Sequence, residues 1–152
     1  MKAPTVLLFA AAAIAPCTST AADRAGIEYL NSGKVLPATL PFSEAVRVGH
    51  TLYLSGQVGI TPGSMKIVAG GIKEETKQVM ENIKASLEAH GYGLKDLVKC
   101  TAMLADIGEW AAFNDVYKTY FSGHFPARSA FGTSGLALGA RVEVECIAAV
   151  DK

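Results

Sequence analysis

The sequence has few of the residues that mark a metal protein or a disulfide scaffold. It contains three histidines and three cysteines in 152 residues. The histidines show no metal-ligand spacing, so we predict no metal site. Cys100 and Cys146 lie in apolar alternating segments, which favours small buried thiols. A bridge between them stays an alternative, because an exported protein can keep one.

The chain also lacks an excess of charge of either sign. It has 14 basic and 14 acidic residues, and no basic cluster or polybasic run. The electrostatic attraction that drives nucleic-acid binding is therefore missing. We expect neither nucleic acid nor a membrane surface among the partners.

No apolar run is long enough to cross a bilayer, which takes about 20 residues. The N-terminus instead has a positive start at Lys2, an apolar run from Val6 to Ala15 and small residues before Asp23. This pattern is typical of a cleaved secretory signal, which we assign to residues 1–22. A retained anchor or a lipidated Cys17 is the alternative, for which Pro16 is a poor fit. We therefore predict a periplasmic or secreted protein, free of the membrane after cleavage.

Residues 23–152 are predicted to form a single domain, given their number and an apolar content of half the chain. Strands are predicted at 45–48, 52–58, 66–69, 97–104, 126–134 and 141–150 from their alternation. An amphipathic helix is predicted over 72–90. A second helix should begin at Asp106, with Glu109 completing a capping box.

The last predicted strand has two different faces. Val142, Val144 and Cys146 lie on one face, which should pack against helices, whereas Glu143 and Glu145 lie on the other. That second face carries too many charges to be part of a hydrophobic core. Its end near Ile147 is too apolar to be fully exposed to water. We therefore expect a second copy of the chain to cover it, with the glutamates near a shared cleft.

Arg128 and Glu143 are the candidate catalytic residues. A guanidinium is shaped to hold a carboxylate through two parallel hydrogen bonds, and a carboxyl group can activate a water. From spacing alone, the two residues could equally form a weak cross-strand pair. Asn114 falls on the buried face of the second helix. A buried amide there could line a site, or it could simply cap a loop carbonyl.

Six motifs in order give the chain a resemblance to a known family over residues 41–149. They are Pro41-Phe42-Ser43, Leu54-Ser55-Gly56-Gln57, the helix from Thr76 to Leu87, Asn114-Asp115-Val116-Tyr117, Pro126-Ala127-Arg128-Ser129 and Val142-Glu143-Val144-Glu145. Together they resemble the reactive intermediate deaminases, also called the RidA or YjgF-like family and once labelled L-PSP endoribonucleases.

The resemblance implies an α+β, chorismate-mutase-like fold, in which a mixed six-stranded sheet carries two helices on one face. It implies a homotrimer with clefts between subunits. The implied reaction is the hydrolysis of enamines and 2-imino acids to 2-keto acids and ammonia, without a cofactor.

The resemblance also implies roles for individual residues. Arg128 would grip the substrate carboxylate and Glu143 would position or activate water. Ser55, Gly56 and Asn114 would line the cleft. Two positions depart from the family pattern, because many members have a tyrosine at Phe42 and a cysteine at Ala130.

Two other functions fit the sequence less well. A non-catalytic trimer that binds small carboxylates or partner proteins would explain the missing hydroxyl at Phe42 and the signal segment. Ribonuclease activity is suggested only by the older family label, and the near-neutral charge argues against it.

Overall fold

The computed structural model describes residues 26–151, which form six strands and two α-helices. The strands are β1 (Ile27–Leu30), β2 (Ala45–Val48), β3 (Thr51–Val58), β4 (Leu97–Leu104), β5 (Ala127–Gly132) and β6 (Val142–Ala149). The helices are α1 (Ile72–Ala89) and α2 (Trp110–Tyr117). The predicted signal segment and Cys17 lie outside the described residues.

All six strands form one mixed sheet in the order β1-β2-β3-β6-β4-β5. Strands β4 and β5 pair in parallel, and every other pair is antiparallel. The parallel step follows from chain order, because α2 lies between β4 and β5 and returns the chain to the same end of the sheet. The predicted α+β architecture is therefore confirmed.

The core lies between one face of this sheet and the two helices. Alternate residues of β6 are buried there, as predicted, together with Val79, Ile83 and Leu87 of α1. Phe113 and Tyr117 of α2 complete the same cluster. The other face carries half-exposed aromatic side chains, including Tyr53 and Phe131. No helix within residues 26–151 is long and apolar enough to cross a membrane.

Cys100 and Cys146 form a disulfide, so the prediction of two buried thiols is wrong. The two residues are direct partners in the β4–β6 pairing, and their Cα atoms lie 4.1 Å apart. Antiparallel strands bring opposite residues this close at their non-hydrogen-bonded positions. Apolar surroundings indicate burial but not register, and register decides whether two cysteines meet.

The structure differs from the sequence predictions at three local points. Strand β1 was not predicted, and it pairs only with β2 at the sheet edge. Residues 66–69 make a single bridge, Ile60 to Ile67, rather than a strand. Asp106 does cap a turn by accepting from the N–H of Gly108 at 2.8 Å, but the Glu109 carboxylate bonds to Arg141, so no capping box forms.

Candidate active site

Glu143 on β6 lines a cavity of about 260 Å³ on the open side of the sheet. Phe42 and Gly56, two of the predicted site residues, line the same cavity. The structure therefore brings together one predicted residue from each of the 41–43, 54–57 and 142–145 motifs.

A β-bulge explains why position 56 is glycine. Leu54 pairs with Cys146 and Gln57 with Val144, so three residue steps on β3 match two on β6. The extra residue turns Gly56 towards β6. A Cβ atom built on Gly56 would overlap Oε1 of Glu143. The missing side chain therefore makes room for the Glu143 carboxylate.

The surroundings of Glu143 favour its neutral form more than water does. Burial raises the pKa of its carboxyl, and the negative charge of Glu145 on the same face raises it further. A carboxylate with a raised pKa is a better proton acceptor than an ordinary surface glutamate. This is the property that a general base for water requires.

Ser55 fixes the position of the cavity wall. Its hydroxyl donates to the carbonyl of Ser43 at 2.7 Å, and its N–H donates to the carbonyl of Glu44 at 3.0 Å. Phe42 directly precedes these residues. Ser55 is thus a positioning residue for the Phe42 segment in this structure, whereas the sequence assigned it to substrate binding.

Glu44 anchors the same segment from inside the protein. Its side chain is buried and accepts from the Ser86 hydroxyl at 2.5 Å and the Ser32 N–H at 2.6 Å. His90 lies 3.4 Å away. Burial opposes the charged form of Glu44, but these hydrogen bonds outweigh it and lower the pKa.

Arg128 on β5 is held in a different place, against α2. Its guanidinium lies over the rings of Tyr117 and Phe113, at 4.6 and 5.2 Å from their centroids. It donates to Oδ1 of Asn114 at 2.6 Å. Asn114 therefore orients Arg128 through its amide oxygen.

A second cavity, of about 320 Å³, opens beside Arg128. Trp110, Phe125 and Asn114 line it with the guanidinium. One hydrogen bond leaves other guanidinium N–H groups available for a ligand carboxylate. Ala130 lies two residues along the same strand face and packs against the core. Ala130 is not among the residues that line either cavity.

Arg128 and Glu143 lie on opposite faces of the sheet within one chain. Arg128 is in register with Cys100, which is buried under the helices, whereas Glu143 is in register with Met103 on the open face. Adjacent residues of a strand point to opposite sides. One chain therefore holds two half-sites, one with the arginine and one with the carboxyl group.

Several lining residues were not found from the sequence. They are Leu36, Leu40, Met65 and Leu138 around Glu143, and Trp110 and Phe125 around Arg128. The first group comes from connectors without a motif, so no sequence pattern indicated them. Within residues 26–151 no cluster of three or more His, Cys, Asp or Glu side chains could hold a metal ion.

Comparison with known proteins identifies the family. The model of the family described as Endoribonuclease L-PSP matches residues 33–150. The chain belongs to this family. It is 44% identical over 121 residues to the mouse protein named 2-iminobutanoate/2-iminopropanoate deaminase, covering 80% of this chain and 90% of that protein. The goat protein of the same name is 46% identical over 119 residues, covering 78% and 87%.

Solved structures of this family have the same fold. The crystal structure of RidA from the Antarctic bacterium Psychrobacter matches with a TM-score of 0.76 at 38% identity, covering 81% of this chain and 99% of that one. The family and the chorismate-mutase-like fold predicted from the six motifs are thereby confirmed.

Proposed function

We propose that this protein hydrolyses reactive 2-imino acids, and the enamines that tautomerise to them, to 2-keto acids and ammonia. The mouse and goat relatives are named for this activity, and the chain covers 90% and 87% of their length. The observation in the molecule that carries the proposal is the pair of half-sites. One presents a guanidinium beside a cavity, and the other presents a carboxyl group with a raised pKa beside a cavity.

The reaction needs few catalytic groups because the imine carbon is already electrophilic. Arg128 binds the substrate carboxylate and fixes the imine relative to Glu143. Glu143 takes a proton from water as the oxygen attacks the imine carbon, and it returns that proton to the imine nitrogen. The proton of the new hydroxyl group then passes through Glu143 to the amine nitrogen of the carbinolamine. The C–N bond breaks, ammonia leaves with its electron pair, and the C=O bond of the keto acid forms.

The half-sites support a homotrimer in which neighbouring subunits complete each cleft. The open sheet face carries a row of apolar side chains formed by Tyr29, Val46, Tyr53 and Ile147, which are successive partners across four strands. Tyr29 and Tyr53 are 72% and 48% exposed in the single chain. Burying such a face against other copies removes apolar surface from water.

We also propose that the protein works outside the cytoplasm. The apolar, Ala-rich segment before Asp23 supports this, and so does the Cys100–Cys146 bridge, because disulfides persist in oxidising compartments. Intact-mass analysis of the protein from its native host tests the proposal. Cleavage near Ala21 or Ala22 supports it, whereas a chain that retains residues 1–22 contradicts it.

A coupled assay tests the catalytic function. An amino-acid oxidase generates 2-imino acids in solution, and semicarbazide traps what the protein does not hydrolyse. We expect the purified protein to lower the semicarbazone yield in proportion to its concentration. An unchanged yield with saturable keto-acid binding would instead favour the non-catalytic carboxylate binder, for which the absence of a hydroxyl on Phe42 is the supporting observation.

A further inference from the structure

The side chains that line the cavity beside Glu143 are apolar except for the Glu143 carboxyl group. Nine of its ten lining residues carry no ionisable side chain, and most of those are aliphatic or aromatic; the ten are Leu36, Leu40, Phe42, Gly56, Val58, Ile60, Met65, Ala137, Leu138 and Glu143. A reaction on an imine and a carboxylate uses polar groups, and these are Glu143 and Arg128. The apolar walls help to bury Glu143, but they supply no group that takes or gives a proton.

Leu138 has an unusual backbone at this wall. It is the sole non-glycine residue with a positive φ among residues 26–151, at φ 58° and ψ 16°. A leucine in the left-handed region is strained, by about 1–3 kcal/mol. Its side chain is 51% exposed in the single chain, so core packing does not explain the strain. Strain without a packing benefit points to a role for the side chain in the cavity.

Phe42 presents a second large apolar side chain to the same cavity. It is 48% exposed, although the segment that carries it is fixed by Ser55 and the buried Glu44. An exposed phenyl ring on a fixed backbone segment is suited to contact an apolar ligand, because the contact removes apolar surface of the ring from water.

The cavity volume, about 260 Å³, is below the usual range for drug-sized ligands. It matches the side chain of a single amino acid. A charged side chain would lose its hydration against these walls without gaining a partner. An acidic one would also meet the charge of Glu143.

We propose that this cavity is the specificity pocket for the substrate's side chain, formed chiefly by Phe42 and Leu138, and that the preferred substrates are 2-imino acids with bulky apolar side chains. The inference rests on the proposed imine hydrolysis and adds its substrate class. Leucine- and phenylalanine-derived imines belong to this class. The alanine-derived imine reaches Arg128 and Glu143 but leaves the pocket empty.

The test measures kcat/KM for alanine-, leucine- and phenylalanine-derived imines side by side. We expect the leucine imine to be favoured over the alanine imine by about 10-fold or more, since each additional buried methylene discriminates by roughly that factor. Binding of the product keto acids pyruvate and 4-methyl-2-oxopentanoate, measured by calorimetry, gives a second readout that does not depend on turnover.

Leu138→Asn is the decisive variant. Asparagine tolerates the left-handed region, so the substitution removes the apolar side chain without adding backbone strain. We expect the leucine-to-alanine preference to fall about 10-fold. Ile107→Asn is the matched control, because Ile107 is equally exposed, at 51%, also lies in a short helical turn, and lines neither cavity. It should leave the preference unchanged.

The outcomes separate the two proposals. Hydrolysis of all three imines without preference, or a preference that survives both Leu138→Asn and Phe42→Ala, overturns the pocket and leaves imine hydrolysis standing. Absence of any hydrolysis overturns the proposed function. In that case the binding measurements decide on the pocket. If the wild type binds 4-methyl-2-oxopentanoate more tightly than pyruvate, and Leu138→Asn loses this difference, the pocket is supported. Equal binding of the two keto acids by the wild type overturns it.

Discussion

Arg128 is the residue that we propose binds the substrate carboxylate. Its guanidinium is oriented by Asn114 and by two aromatic rings, so its fork has a fixed direction. We expect Arg128→Ala to lower kcat/KM by about 100-fold or more. Arg128→Lys should recover little, because an ammonium is a point charge without the planar fork. The steady-state assay with the leucine imine measures both.

Arg47→Ala provides the control for a lost surface arginine, since Arg47 pairs with Glu28 away from both cavities. It should behave as wild type. Wild-type turnover in folded Arg128→Ala would show that another group binds the carboxylate.

Gly56 is required by the Glu143 carboxylate rather than by its own backbone. A methyl group at position 56 would overlap Oε1 of Glu143, which can move because it ends a flexible side chain. We therefore expect Gly56→Ala to leave the melting temperature nearly unchanged and to lower kcat by at least about 10-fold, as misplaced catalytic groups do.

Gly93→Ala is the matched substitution at a site with free space, because the nearest atom lies 4.0 Å from the added Cβ. It should change neither quantity. If Gly56→Ala turned over substrate at the wild-type rate, the position of the Glu143 carboxylate would not matter for the reaction.

Substitution of Glu143 should lower the activity and raise the stability. Its raised pKa means that the folded protein binds the proton more tightly than the unfolded chain. The resulting stabilisation is present at low pH and is lost as the pH rises through the raised pKa. We expect Glu143→Gln to lower kcat by about 100-fold or more, and to raise the melting temperature at neutral pH.

Melting curves of wild type and Glu143→Gln at about pH 4 and pH 7 test the sign of this linkage. The advantage of the variant should be larger at pH 7. The wild-type activity should rise with pH through the same ionisation, and Glu145→Gln should move that rise to lower pH because a like charge is removed. A melting temperature that falls equally at both pH values would contradict the assigned pKa direction.

At the scale of elements, the disulfide joins the neighbouring inner strands β4 and β6. It closes a loop with a sequence separation of 46 residues. Linking such a loop restricts the unfolded chain and stabilises the fold by about 2–4 kcal/mol. We expect the double variant Cys100→Ala, Cys146→Ala to lose stability of that order in denaturant unfolding.

A reductant separates the bridge from the loss of side-chain volume. It should lower the melting temperature of wild type and leave the double variant unchanged. Free thiols at wild-type positions in the native, oxidised protein would contradict the bridge.

Strong local patterns explain which elements could be predicted from the sequence. Helix α1 has an apolar stripe, and β4 and β6 alternate over eight residues each, so their bounds were predicted closely. Strand β1 has four residues and a largely exposed surface, and its pairing with β2 depends on chain reversal rather than on its own pattern. The disulfide and the β3 bulge depend on the pairing register of β6 with β4 and with β3. This register cannot be read from the alternation pattern of one sequence.

The site was predicted only as far as its motifs extend. Gly56, Phe42 and Glu143 are brought together as expected, and Asn114 contacts Arg128. Leu138 was missed as a lining residue of the cavity, because its position depends on a backbone angle in a glycine-rich link. The separation of Arg128 from Glu143 across the sheet was also missed, since it requires the order of β6, β4 and β5.

At the scale of the whole molecule, the proposed trimer would make activity a property of the assembly. Arg128 faces the helix side and Glu143 the open side, so the proposed cleft takes Arg128 from one subunit and Glu143 from the next. This arrangement predicts complementation between two inactive variants. Arg128→Ala and Glu143→Gln, co-expressed with different tags and purified over both, should form active mixed trimers.

A three-membered ring of two kinds of subunit contains one junction in the required order, so we expect about one third of the wild-type rate per trimer. The control is Arg128→Ala carrying both tags, which should stay inactive. Light scattering of the mixed species reports its mass in the same experiment. A mixed trimer as inactive as its parents would contradict a cleft built from Arg128 of one subunit and Glu143 of the next, and a monomer mass would refute the trimer itself.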